Sequence, residues 1–322
     1  MKRFFVYFML LFSILHSEEA PQFVDLPFVE KKQNASLNFL FIKEFSNNSF
    51  SENGTINDYV AERIVANDLD TIRTRATKRD LNCWKVEGNY RIGKKIIAGL
   101  KVKYISAIDD IITIRQDPMD PLKRIREESS REYEGFGDIN LHSFYILKEG
   151  KTLFLFTIFK IPSKKWIEKD LFNISDGQMD IDFGISYERK AISTIKYLLT
   201  TGYRYRLKCA DESIIKKPSD QCLISTGLSF KAFYPYCKIS LGGRFDLSET
   251  KYKKDDTSYE YSPRSLLLIQ PDFSIPLSKT LYLVISANYP VSGRSEARLY
   301  HFQAGLNYHL LHFEKPASGS SI

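Results

Sequence analysis

His142 and Ser143 invite a catalytic reading, a base beside a hydroxyl. On an extended strand, however, sequence neighbours point to opposite faces, so this pair cannot form a nucleophile and its base. His301 and His309 share a face but stand too far apart along it to hold one metal ion between them. No phosphate-binding glycine loop and no nucleophile elbow occurs, so no catalytic residue, metal or cofactor is expected. Cys209 and Cys222 bracket the stretch KCADESIIKKPSDQC, one closing a strand pattern and the other opening the next. An oxidising compartment would let them join as a disulfide across the base of that loop. Cys83 and Cys237 fall inside separate strand patterns and read as unpaired thiols.

What the chain offers in quantity is charge at alternate positions. Lys85, Glu87 and Arg91 alternate with Trp84, Val86, Tyr90 and Ile92. Lys101 and Lys103 alternate with Leu100, Val102 and Tyr104, and Asp180, Asp182 and Glu188 with Ile181, Phe183, Ile185 and Tyr187. Lys196, Arg204 and Arg206 oppose Tyr197, Leu199, Tyr203 and Tyr205; Lys238, Arg244, Asp272, His301 and His309 occupy equivalent places further on. A period of two is the signature of strands with one polar and one apolar face. Across the turn after Glu188, Glu188 is expected near Lys196 or Thr194, and Asp180 near Gly202 or Arg204. One stretch breaks the rule: Phe144, Ile146, Phe154, Phe156 and Ile158 make the segments at 139–147 and 152–161 apolar on both faces. Either a loop or the N-terminal leader packs there, or an apolar ligand path runs along it.

The elements that must position these residues are twelve strand-like segments, beginning with Ser36 to Phe45 and ending with Arg298 to Leu311. Their connections alternate strictly between long and short. The short ones are 93–95, 148–151, 189–192, 233–236 and 276–279; the long ones include 46–80, with a candidate short helix over Ala61 to Asp70, and 107–133. An even number of strands with short turns at one end and long loops at the other describes a closed antiparallel transmembrane β-barrel. Its polar face would line a lumen and its apolar face would meet lipid, with Tyr and Phe near the strand ends as interfacial girdles. A soluble, secreted sandwich accounts for the aromatics but not for long loops gathered at one end.

Composition agrees with this. Lys2-Arg3, an uncharged apolar run from Phe4 to Leu15, and then His16-Ser17 read as a signal peptide over 1–17, followed by a leader over 18–35, the barrel over 36–313 and a tail over 314–322. No later run approaches the ~20 apolar residues of a membrane helix. A mean hydropathy of −0.27 excludes a helical membrane protein but not a barrel, whose lumen and loops are polar. The net charge of +7 is mild and scattered, which does not indicate nucleic-acid binding.

Gly135-Phe136-Gly137-Asp138 opens a strand, a second strand ends at Ile161-Pro162-Ser163, and Asp176-Gly177 precedes an acidic strand with Asp180 and Asp182. This series, over roughly 134–205, resembles the outer-membrane transporter family named for the meta-pathway of phenol degradation. The chain lacks the glycine that the family carries shortly after the proline, with Ser163-Lys164-Lys165 in its place. The resemblance implies a bacterial outer-membrane barrel that passes small hydrophobic or aromatic molecules. The expectation is therefore a passive channel or transporter in the outer membrane, with the lipid bilayer and a small-molecule cargo as its partners. The alternative is a non-conducting barrel whose long surface loops bind a partner. A membrane-embedded hydrolase is disfavoured by the His142–Ser143 spacing.

Overall fold

In a computed structural model, residues 33–67, 70–117, 123–148, 152–164, 177–190, 195–211, 214–231, 236–254 and 257–311 are described. The signal segment, nearly all of the leader, the tail and the turns around 150, 192 and 234 lie outside them. Twelve strands close into one barrel: β1 (Gln33–Ser46), β2 (Asp70–Ile92), β3 (Ile96–Gln116), β4 (Ile139–Lys148), β5 (Thr152–Ile161) and β6 (Asp180–Lys190) form the first half. β7 (Ile195–Arg206), β8 (Gln221–Lys231), β9 (Tyr236–Asp246), β10 (Ser265–Pro276), β11 (Leu281–Arg294) and β12 (Tyr300–Leu311) form the second. Each pairs antiparallel with its sequence neighbour, and β1 closes the ring by pairing with β12 from Phe45↔Tyr300 to Gln33↔Leu311. Among the described residues there is no helix.

Local sequence explains the short end. β2 and β3 meet at Ile92↔Ile96 around Gly93, whose φ of 63° suits a residue without a Cβ. The strands above such turns are β-branched and aromatic, which suits a pleated, laterally packed surface.

The long end departs from the expected loops. Ala61–Asn67 is a strand, not a helix, and pairs with β2 from Ala61↔Ala76 to Asn67↔Asp70. The neighbouring β2 backbone supplies a complete ladder for its peptide groups. The stretch 107–133 is likewise largely strand. β3 runs on to Gln116, and Arg124–Phe136 folds back along it. These four strands form a sheet that projects from the barrel. Further on, Cys209–Asp211 and Ile214–Lys217 form one hairpin, and Thr250–Lys254 and Thr257–Tyr261 another. The two join at Ile214↔Lys254 through Lys217↔Lys251 into a four-stranded outer sheet. Inside it the Tyr252 ring lies 5.0 Å from that of Tyr261, and burial pushes the Tyr252 phenol up to about 12.

The outer surface of the wall is apolar. Trp84 is 62% exposed and Phe183 49%, and with Tyr104, Phe159, Tyr205 and Phe245 they ring the wall toward the long loops. Tyr90, Tyr145, Tyr197 and Tyr308 ring it toward the short turns. Between the rings lie aliphatic residues such as Val86, Leu100, Ile185, Leu199, Ile224 and Leu241, also exposed. So continuous an apolar band would drive aggregation in water; bounded by two aromatic girdles, it is the band that faces lipid.

Candidate functional site

The opposite face of the same strands turns inward. Lys85, Glu87, Asp180, Asp182, His301 and His309 are buried there, and Arg91, Lys101, Lys103, Glu188, Lys196, Arg204, Arg206, Lys238, Arg244 and Asp272 lie on the same side of their strands. The structure brings many of them together at the mouth nearest the long loops.

Strand register is what aligns them. Lys160, Asp180 and Arg206 are direct cross-strand partners on β5, β6 and β7. Lys160 Nζ reaches Asp180 at 2.7 Å and Asp138 at 3.8 Å, and Arg206 Nε lies 3.7 Å from Asp180. Gln178 donates its amide to Asp180 as well. One step deeper, Asp182, Arg204, Gln221 and Asp246 are successive partners across β6 to β9. Arg204 donates to both Asp182 oxygens, at 2.7 and 2.8 Å, and to Gln221 at 3.4 Å. Gln221 donates to Asp246 at 2.7 Å, and Asp246 accepts from both the backbone and the guanidinium of Arg264. Glu296 then lies 3.7 Å from Arg264 and 3.0 Å from Arg244. Burial disfavours the Arg264 cation, yet Glu296 and Asp246 more than offset it and hold its pKa above the usual arginine value.

The result is a belt of alternating charge along more than half of the barrel circumference. Across β12 and β1 the line of polar contacts resumes with His301 and Glu44, 3.2 Å apart. Each bidentate or charge-assisted contact in such a belt is stronger than a neutral hydrogen bond and fixes the neighbouring strands in one register.

Of the two expected neighbours, one is met and one is corrected. Asp180 partners Arg206 rather than Gly202 or Arg204, and Arg204 partners Asp182. Glu188 lies near Lys196 as expected: its ladder partner is Leu198, and its carboxylate reaches diagonally to Lys196 at 2.5 Å. The disulfide is the other correction: all four cysteines are thiols. Cys222 lies on the wall opposite Tyr203 and Phe245. Cys209 has moved on with the chain into the outer sheet, where it is buried opposite Lys216. The chain runs on from β7 past Leu207 before its hairpin begins, so the two cysteines do not form the feet of one turn.

Below the mouth the lumen has two contrasting walls. On β2 and β3, Lys85 stands across from Lys103 and Glu87 across from Lys101, with Arg91 nearer the turn. This wall carries more positive than negative charge. On β3 to β5, Ile97, Phe144, Ile146 and Phe156 pack as one apolar cluster with Phe154 and Ile158 against it. Phe156 lies along a row with Gly184 and Gly202, and a Cβ on either glycine would stand within 3 Å of its ring. The glycines are therefore what let an aromatic ring lie against the inside of the wall. Sequence reasoning singles out Phe156 as out of pattern but misses the two glycines, whose signal is their place in its cross-strand row.

His142 lies in the lumen, its Nε2 2.6 Å from Asn89 Oδ1, while Ser143 is exposed on the other face. His301 and His309 are separate: the first lies beside Glu44 and Gln303, the second against the Tyr282 ring at 4.8 Å. Among the described residues, no group of histidine, cysteine and carboxylate side chains is placed to hold a metal ion.

An apolar belt between aromatic girdles, a polar lumen and an even closed strand count define a bacterial outer-membrane β-barrel, and the outer membrane is where this chain resides. No family model and no curated protein matches it. The COG4313 outer membrane channel from Pseudomonas putida F1 superposes on 91% of this chain and 100% of its own at a TM-score of 0.60 and 10% identity. The transport unit of the autotransporter AIDA-I from Escherichia coli covers 90% of this chain and 95% of its own, at a TM-score of 0.48 and 10% identity. A Pseudomonas aeruginosa FadL homologue covers 86% and 90%, at 0.37 and 7%. The first likeness establishes the shared fold; the other two superpose too loosely to add to it.

Proposed function

We propose that this barrel is a passive channel or transporter for small molecules. The observation that carries the reading is the inward face of the wall: below the charged belt it is basic on β2 and β3 and aromatic on β3 to β5. A solute with an apolar ring and a polar or anionic group would find both halves of its surface matched there. The resemblance of residues 134–205 to the meta-pathway transporter family supports hydrophobic or aromatic cargo, and the fold shared with the COG4313 channel supports conduction. The separation of His142 from Ser143 supports transport over hydrolysis. The ordered four-stranded sheet built from the loops after β7 and β9 favours a second reading, in which the loops bind a partner and the barrel only holds them.

Purified protein added to a planar lipid bilayer decides between the two. Discrete conductance steps are expected from the channel. A folded, inserted barrel that stays electrically silent overturns it in favour of the second reading.

A further inference from the structure

Beyond the lumen, the most unusual surface is the free edge of the projecting sheet. Its outermost strand, Arg124–Phe136, pairs with β3 on one side over its whole length, from Gln116↔Arg124 to Tyr104↔Phe136. Among the described residues no strand pairs with its other side. Nearly all of its side chains are exposed, with Ile125, Tyr133 and Gly135 partly covered. Such an edge is a template for another strand, and proteins usually protect it with charge.

Here the charges are arranged differently. The sequence RIREESSREYEGF is a charge palindrome centred on Ser129. Set antiparallel to a second copy of itself about a two-fold axis at Ser129, Arg124 faces Glu134, Ile125 faces Tyr133, Arg126 faces Glu132, and Glu127 faces Arg131. Every pair occurs twice, and no like charges stand opposite one another. A slip of one residue sets Glu127 against Glu132 in one direction and Arg126 against Arg131 in the other. Opposite charges directly across a strand pair are stabilising and like charges destabilising, so the edge selects one register and one partner.

We propose that this edge is a homophilic docking strand, and that its occupant is the same strand of a second copy of the chain. The geometry also fixes where that copy sits. Strands of an outer-membrane barrel tilt roughly 35–45° from the barrel axis. The two-fold axis of an antiparallel pair is perpendicular to its strands, so it cannot coincide with the membrane normal. The two barrels therefore belong to facing membranes, and the edge tethers one outer membrane surface to another. Isologous pairing of this kind closes on itself as a dimer and does not propagate.

The test uses the full-length protein reconstituted into lipid vesicles, with heat-modifiable gel mobility confirming a folded barrel in every preparation. Two variants invert half of the palindrome each: Glu132→Arg with Glu134→Arg makes the even-numbered face of the edge basic, and Arg124→Glu with Arg126→Glu makes it acidic. All four positions are exposed, which protects folding. Wild-type vesicles are expected to cluster, measured by light scattering. Each variant alone loses that clustering, and a one-to-one mixture of the two variant vesicles regains it, because every pair is then opposite in sign. Wild-type vesicles that stay dispersed overturn the proposal. So does either variant clustering alone, or a mixture that stays dispersed.

Discussion

Asp182→Ala is expected to lower the stability of the folded barrel by about 3–5 kcal/mol, the range for removing one partner of a buried ion pair. Asp182 receives both Arg204 contacts, at 2.7 and 2.8 Å, from a side chain itself largely withdrawn from water. Without the carboxylate, Arg204 loses its bidentate partner and keeps the longer contact to Gln221 at 3.4 Å. The damage then reaches along the row, since Gln221 also serves Asp246. Exchanging the pair, Asp182→Arg with Arg204→Asp, is expected to recover part of the loss and not all of it. The exchanged carboxylate would stand beside Gln221 and close to Asp246, positions suited to a guanidinium. Urea unfolding of the protein in lipid vesicles, followed by tryptophan fluorescence, reads both effects. A loss within the ~1 kcal/mol of an exposed ion pair would mean that the belt does not hold the wall.

The second large effect is on ion selectivity. Lys85, Lys101 and Lys103 lie together on one wall, with Glu87 the carboxylate across from Lys101. A unit charge ~8 Å from a passing ion in a water-like medium alters its energy by about 0.5 kcal/mol. Replacing all three lysines by glutamine therefore changes the preference for anions over cations by about tenfold, allowing for screening. The wild type is expected to show an anion-directed reversal potential in a salt gradient, and the triple variant a potential near zero or cation-directed. An unchanged potential would place the ion path away from this wall.

How much of this was legible in the sequence depends on the kind of information asked for. Facing is carried by alternation, because side chains on a strand have only two directions; Asp180 and Asp182 alternating with Ile181 and Phe183 show it plainly. Strand count and the inequality of the two ends follow from the spacing of the alternating runs. Register is different. The pattern around 189–192 is compatible with several turn lengths, and a shift of two residues in the sum of paired positions keeps every side chain on its face while exchanging its partner. That is how Arg204 is expected beside Asp180 but stands beside Asp182.

The long loops depart from the sequence pattern for a related reason. Charged stretches such as Lys123 to Arg131 lack an apolar face, yet form strands because β3 offers a complete backbone ladder beside them. Ala61–Asn67 is the same case, its backbone satisfied by β2. Cys209 and Cys222 are near in sequence and bracket one loop, but that loop contains its own hairpin, which carries Cys209 into a different sheet. The inward glycines Gly184 and Gly202 became meaningful only when the register set them across from Phe156.

Alternate residues of each strand meet lipid and lumen, and the whole account rests on that alternation. Leu199 and Thr200, neighbours on β7, test it most directly: Leu199 lies in the exposed apolar band, and Thr200 faces inward, 2.8 Å from Ser186. Each is changed to cysteine in a background whose four native cysteines are replaced by alanine, and is spin-labelled in lipid vesicles. The label at 199 is expected to relax with oxygen dissolved in the bilayer and not with an aqueous nickel chelate. The label at 200 is expected to respond less to oxygen and more to the chelate. The reverse order, or equal access to the chelate at both positions, would contradict a transmembrane barrel with this lumen.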